Sequence, residues 1–160
     1  MAGSEIYCFD TSALLAAWNE LYPIGHFPGL WEHLTGLVES GRAVAPIEVR
    51  HEVQKRDDGL FAWLKKNKAM FVDVDEPVQL RQRTILEKYP RLVAERKNRF
   101  SADPWVIALA VERGLSVVTE ERPTTKAHRP NIPDVCADKE VGRPCLPLLE
   151  VIRQEQWVYK

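Results

Sequence analysis

Short runs of consecutive apolar residues alternate along this chain with longer stretches in which apolar positions recur every three or four residues, the pattern of strands and helices taken in turn. The first run, Glu5 to Phe9, is β-prone and ends at Asp10; Thr11 and Ser12 then supply hydroxyls suited to capping a helix through Leu14, Leu15 and Trp18. From Gly29 to Ser40 the apolar positions Leu30, Trp31, Leu34, Leu37 and Val38 share one helical face, with Gly41 as a natural stop. Arg42 to Pro46 predicts a brief buried strand, and Ile47 to Arg56 a helix that begins just past the proline. Asp57 and Asp58 cap a further helix with Leu60, Phe61 and Leu64 turned inward, and Ala69 to Val74 reads as a strand.

Pro77 to about Arg99 is a charged, mostly helical stretch that Pro90 splits in two. Ala102 to Arg113 carries the strongest helix signature: Asp103 as cap, Pro104 in the first turn, an almost wholly apolar interior and Gly114 as terminator. Leu115 to Thr119 is a buried strand of the parallel-sheet kind that runs into Glu120 and Glu121. A polar loop from Arg122 to Asn131, the apolar segment Ile132 to Cys136 and a last helix from about Leu146 to Gln156 complete the chain. Strands alternating with helices predict an α/β fold, a parallel sheet with helices on both faces.

Composition narrows the class further. With 160 residues, 45% of them hydrophobic and 28% charged, the chain is expected to fold as a single domain covering residues 1–160. A formal net charge of -1 gives no global attraction to a phosphate backbone, so a nucleic-acid surface would have to be local. The 3 cysteines, Cys8, Cys136 and Cys145, form no CxxC pair, which argues against a disulfide framework or a zinc site and suits a reducing cytoplasm. No signal peptide is expected at the start, and no apolar run approaches the roughly 20 residues of a bilayer crossing, so no membrane association is expected.

Acids stand where ligands bind in parallel sheets, beyond the carboxyl ends of strands. Asp10 follows the first strand, Asp103 opens a buried helix, Glu120 or Glu121 follows the strand ending at Thr119, and Glu52 can join them from the helix after Pro46. Each also has a plainer explanation. Capping alone selects an Asp before Pro104; Glu48 and Glu52, near Lys55 and Arg56, suit a solvated helix face; and Glu120-Glu121 suits the polar exit of a buried strand.

Taken in order, FDTSALL, APIEVRHEV, SADPWVIALA and SVVTEE resemble the successive acidic motifs of PIN-domain nucleases, common as the toxin halves of bacterial toxin-antitoxin pairs. The stretch PIEVRHEVQKRDDGLFAWLKK, with PDVC near the end, also looks like a bacterial PIN-like subgroup of undefined biological role. The resemblance spans about residue 5 to about 153 and implies a PIN-like three-layer α/β/α fold. It also implies Asp10, Glu52, Asp103 and Glu121 as catalytic metal ligands, with Asp10 and Asp103 the principal ones. The last acid of the family is usually Asp, and here Glu120 and Glu121 both stand near that position. All-oxygen ligands favour Mg²⁺ or Mn²⁺ over zinc. The implied activity is metal-dependent endoribonuclease cleavage of RNA, leaving a 5′ phosphate and a 3′ hydroxyl; an antitoxin and a second copy of the chain are the implied partners. The competing reading is a PIN-like module that binds RNA or protein and cleaves poorly.

Other signals are weaker. Arg81, Arg83, Lys88, Arg91, Arg96, Lys97 and Arg99 crowd the segment before Asp103, either as a phosphate-binding wall or as a solvated helix face. The scattered His26, His33, His51 and His128 suit surface or packing roles, and the five tryptophans fall mostly on apolar helix faces, where core packing is expected. Neither GxGxxG nor GxxxxGK[ST] is present, and Asp10 lacks the DxD context of a phosphoryl-transfer acid.

Overall fold

The computed structural model describes residues 4–93, 101–124 and 130–159. Its frame is a five-stranded sheet in the order β3-β2-β1-β4-β5, built from β1 (Tyr7–Phe9), β2 (Ala43–Pro46), β3 (Phe71–Val72), β4 (Ser116–Val118) and β5 (Cys145–Leu146). Every pairing is parallel: Cys8 sits opposite Val44 on one side and Val117 on the other, Ala45 opposite Phe71, and Val118 opposite Leu146. The connections are the helices α1 (Thr11–Ala16), α2 (Pro28–Glu39), α3 (Ile47–Arg56), α4 (Asp58–Lys66), α5 (Glu76–Lys88), α6 (Asp103–Arg113), α7 (Ile132–Cys136) and α8 (Leu148–Glu155). A parallel sheet flanked by helices is the α/β class that the alternating pattern predicts.

Strand order decides where a ligand can sit. From β1 the sheet grows outward through β2 to β3, and the chain then returns to place β4 on the opposite side of β1. The crevice above β1 and β4 is thus the point where the order reverses, and connections leaving the two strands turn away from it in opposite directions.

The central layer is mostly apolar, with Ser116 of β4 a buried polar residue in it. Tyr7, Cys8, Phe9, Ala45, Val117 and Val118 are buried, and α6 packs on β1, β2 and β4 with Val106 to Ala110 wholly inaccessible. A helix apolar on nearly all sides belongs in the interior, as its sequence predicts. α2 buries the residues its periodicity picks out, Leu30, Trp31, Leu34, Leu37 and Val38. Trp31 stands edge-on to both Trp18 and Trp63, with ring centroids 4.9 and 5.0 Å away, which makes these indoles packing elements.

Gly114 ends α6 at φ 69°, a left-handed conformation in which a β-carbon is strained. Gly114→Ala is expected to cost about 1 kcal/mol, read as a lower midpoint in urea unfolding with an unchanged slope.

Four local expectations change. The hydroxyls after β1 do not cap α1; the Asp10 side chain does, accepting from Ala13 N–H at 2.7 Å. Ala102 occupies the cap position of α6, so Asp103 is that helix's first residue. The strand expected over Ala69–Val74 shrinks to Phe71–Val72, because its one neighbour, β2, turns into α3 after Pro46 and offers no further partner. The last helix starts at Leu148, since Cys145–Leu146 is drawn into the sheet beside β4. Past Pro90 a 3₁₀ turn runs to Val93, and the remainder of the predicted helical stretch lies outside the described residues. Among the described residues no helix is long and apolar enough to cross a membrane.

Candidate metal centre

Asp10 leaves the carboxyl end of β1, where its backbone N–H still donates to Val118 O at 3.0 Å and continues the ladder with β4. Its carboxylate is fully buried and held on several sides. Ser12 Oγ donates to Oδ1 and Oδ2 at 3.0 and 2.8 Å, Thr119 Oγ1 donates to Oδ2, and Ala13 N–H donates to Oδ1. These donors fix one rotamer. Of the hydroxyls after β1, Ser12 therefore serves Asp10 itself, and Thr119, the residue just past β4, is a site residue; the sequence signal for both is a hydroxyl close to an acid, in D-T-S and V-T-E.

Asp103 arrives from the opposite direction, on the first turn of α6, and is also fully buried. The partial positive charge at a helix start favours an anion there. Glu121 comes from the loop after β4. Alternation along the strand direction carries Thr119 and Glu121 to one side and Glu120 to the other. Glu121 N–H donates to Thr119 Oγ1 at 3.1 Å, and its Oε1 accepts from Ile132 N–H at 3.0 Å. Glu120 points away, with Oε2 accepting from Leu148 N–H at 3.4 Å. Of the two glutamates, Glu121 is therefore the one that lies beside Asp10 and Asp103.

Three of the four acids implied by the motifs converge. Asp10, Asp103 and Glu121 each offer a carboxylate oxygen, and these atoms lie within 4.8 Å of one another. Glu52 is adjacent but outside that group. Its Oε1 accepts from Thr11 Oγ1 at 3.2 Å and from Ala102 N–H at 3.0 Å, the residues next to Asp10 and Asp103. Glu52 therefore ties α1 to the start of α6 and sets the spacing of the two aspartates. Glu48, one turn earlier, is half-buried and is no member of the group.

Glu52→Ala leaves the buried Ala102 N–H without its acceptor, an expected loss of about 1–3 kcal/mol. Glu52→Gln keeps an oxygen there and should lose less; equal melting temperatures for the two variants would remove the tie.

Burial dominates the electrostatics. Desolvation pushes Asp10 up from 3.8 to about 7 against hydrogen bonds from Thr119, Ala13 and Ser12 that favour the charged form, and the nearby Glu121 adds a smaller push upward. Glu52 is raised for the same leading reason, partly offset by the Ala102 and Thr11 bonds. Among the described residues no ion pair reaches Asp10 or Glu121. Carboxylates gathered in a low-dielectric pocket at this spacing fit an oxygen-coordinated divalent cation, which would supply the missing positive charge.

The basic segment before Asp103 is partly neutralised. Arg81 pairs with Glu112 at 3.0 Å, and Lys88 with Asp138 and Glu140 at 2.6 and 3.3 Å, as a solvated helix face would. Arg96, Lys97 and Arg99 lie outside the described residues, as does His128.

A family model described as "Domain of unknown function (DUF4411)" matches residues 7–159. The chain belongs to the DUF4411 family. No curated protein matches this DUF4411 chain. Among solved structures it is similar to a crystal structure of VapBC2 from Rickettsia felis bound to a DNA fragment from their promoter. That likeness has a TM-score of 0.48 and 16% identity over 72% of this chain and 87% of the other. A likeness at that level carries nothing about activity or partners, so the chemistry of the DUF4411 site rests on its own residues.

Proposed function

We propose that the chain is a divalent-metal-dependent ribonuclease that hydrolyses RNA phosphodiesters. The observation that carries the reading is the meeting of Asp10, Asp103 and Glu121 above β1 and β4, the same acids, in the same order, in which the sequence resembles PIN-domain nucleases. Asp10, Asp103 and Glu121 would hold Mg²⁺ or Mn²⁺, and Glu52 would act on it through water or through its hold on Thr11 and Ala102. A divalent ion there supplies Lewis-acid chemistry, lowering the pKa of water and offsetting charge on the departing oxygen.

The chain's own residues do the positioning. Ser12, Thr119 and Ala13 N–H hold the Asp10 carboxylate in one orientation, and Ile132 N–H holds Glu121. Pre-set ligands need little rearrangement when substrate arrives, which is how geometry turns into rate. The first turn of α6 directs backbone N–H dipoles toward the same crevice, favourable to a phosphate.

The same reading makes the chain the toxin of a toxin-antitoxin pair that works as a homodimer in the cytoplasm, with an antitoxin covering the acidic crevice. Its support is the ordered motif resemblance.

The test is an assay on a mixed RNA pool with Mn²⁺, with Mg²⁺ and with chelator. Cleavage in either metal, none in chelator, and products bearing 5′ phosphate and 3′ hydroxyl ends are expected. Intact RNA in both metals overturns the reading and leaves a binding module.

A further inference from the structure

Beside the three acids lies a recess of about 380 Å³, within the usual size of a small-ligand site. It opens beyond the carboxyl ends of β4 and β5, and its walls include Glu120, Glu121, Arg122, Pro123, Pro133 and Pro147. Glu121 belongs to both the carboxylate group and this wall. Through Glu121 the recess adjoins the acids, so a strand with one phosphate at the acids would bring a neighbouring nucleotide toward it.

The walls are held in place. Arg122 O accepts from Asn131 Nδ2 at 2.8 Å, and Thr124 N–H donates to both oxygens of Asp134, at 3.0 and 3.2 Å, so the loop after Glu121 is strapped to α7. Prolines present rigid apolar rings that lose little entropy when a flat group packs on them. Arg122 is exposed at this wall, and a guanidinium can grip a phosphate or stack on a base.

Glu120 supplies the polar selectivity. Leu148 N–H donates to its Oε2 at 3.4 Å, and each carboxylate oxygen can accept from more than one donor. Such a group suits a ligand edge with two adjacent N–H donors and opposes an edge of carbonyl oxygens. Among the RNA bases guanine presents the paired donors at N1 and N2, whereas uracil presents two carbonyls around one N–H. Unstacked bases of single strands are read on these edges.

We propose that this recess is a guanine-selective base subsite, in which Glu120 accepts from the base edge between Pro123, Pro133 and Pro147 while Arg122 holds the adjoining phosphate. The role in cleavage rests on the ribonuclease reading; the affinity for the base does not.

The experiment has two arms. In chelator, where no cleavage occurs, guanosine 5′-monophosphate and uridine 5′-monophosphate are titrated into the wild-type chain and into Glu120→Gln, followed by calorimetry or amide NMR. Wild type is expected to prefer the guanosine nucleotide by on the order of tenfold or more, with the preference lost in Glu120→Gln. In Mn²⁺, sequenced ends from a random RNA pool should show guanosine enriched at one fixed position beside the cut, and the cuts made by Glu120→Gln should be spread over all four bases at that position.

Equal or no binding of the two nucleotides by wild type overturns the subsite, as does a preference unchanged in a folded Glu120→Gln. Cleavage without base enrichment overturns the subsite and leaves the ribonuclease standing. Guanosine preference without any cleavage leaves the subsite standing and removes the ribonuclease.

Discussion

Asp103→Asn and Asp10→Asn are each expected to lower metal-dependent RNA cleavage by at least about 100-fold. Groups that merely orient a metal's ligands already cost about 10–100-fold when removed, so a group in contact with the ion should sit at or above that upper end. Asparagine keeps the volume and one acceptor oxygen and removes a formal charge. For Asp10 it also keeps an oxygen for Ala13 N–H, so the cap of α1 survives. The circular dichroism spectrum should match wild type in both variants, and product formed per hour from a labelled RNA measures the loss. Near-wild-type cleavage in both variants would remove the three-acid site as the seat of chemistry. Glu112→Gln is the matched control, since that carboxylate pairs with Arg81 and lies outside both the acid group and the recess beside it.

The metal-free chain should become less stable as pH rises from 5 to 7, and Mg²⁺ or Mn²⁺ should reverse the loss. Asp10 has its folded value raised from 3.8 to about 7, so the fold prefers the protonated acid. Its contribution is complete below about 3.8 and is lost as pH climbs through 7. Each unit is worth about 1.4 kcal/mol, so Asp10 alone predicts a loss of about 2–3 kcal/mol between pH 5 and 7. For a chain of this size that is roughly 5–10 °C in melting temperature. Glu52, Glu48 and Glu120 are also raised, chiefly by burial, and act in the same direction. Asp138, lowered by Lys88 and Tyr89, acts oppositely but in the acid range below this window.

A cation at one hundred times its dissociation constant returns about 2.7 kcal/mol. Melting curves at pH 5, 7 and 8, with chelator and with metal, check both halves. In Asp10→Asn the slope with pH should flatten, and at pH 8 without metal that variant should melt above wild type. A wild-type curve that rises with pH in chelator, or stays unmoved by saturating metal, contradicts the electrostatic account of the site.

Most of the frame was legible in the residue pattern because each signal is local. Periodicity marked α2 to its buried positions, and Pro104 with Gly114 bracketed α6. The run LSVVT before Glu120 marked β4, because a strand buried on both faces shows no alternation of charged and apolar positions. The same local chemistry placed Asp10, Asp103 and the Glu120-Glu121 pair at the ends of elements. It could not say that Asp10 caps its own helix, since Thr11 and Ser12 are equally good caps in isolation.

What the tertiary structure decided is everything that needs two distant segments at once. β5 exists because Val117 and Val118 offer it a partner, and β3 stops where β2 leaves it. Thr119 becomes a donor to Asp10 only when β4 lies beside β1. Glu121 joins the acids while Glu120 turns to Leu148, because strand alternation is read from the sheet rather than from the composition of the pair. The sequence by itself determined which acids stand at element ends, since caps and strand exits are near-neighbour effects. Their approach to within one ion's reach was set by strand order and by the packing of α6 across the sheet, which no local preference encodes.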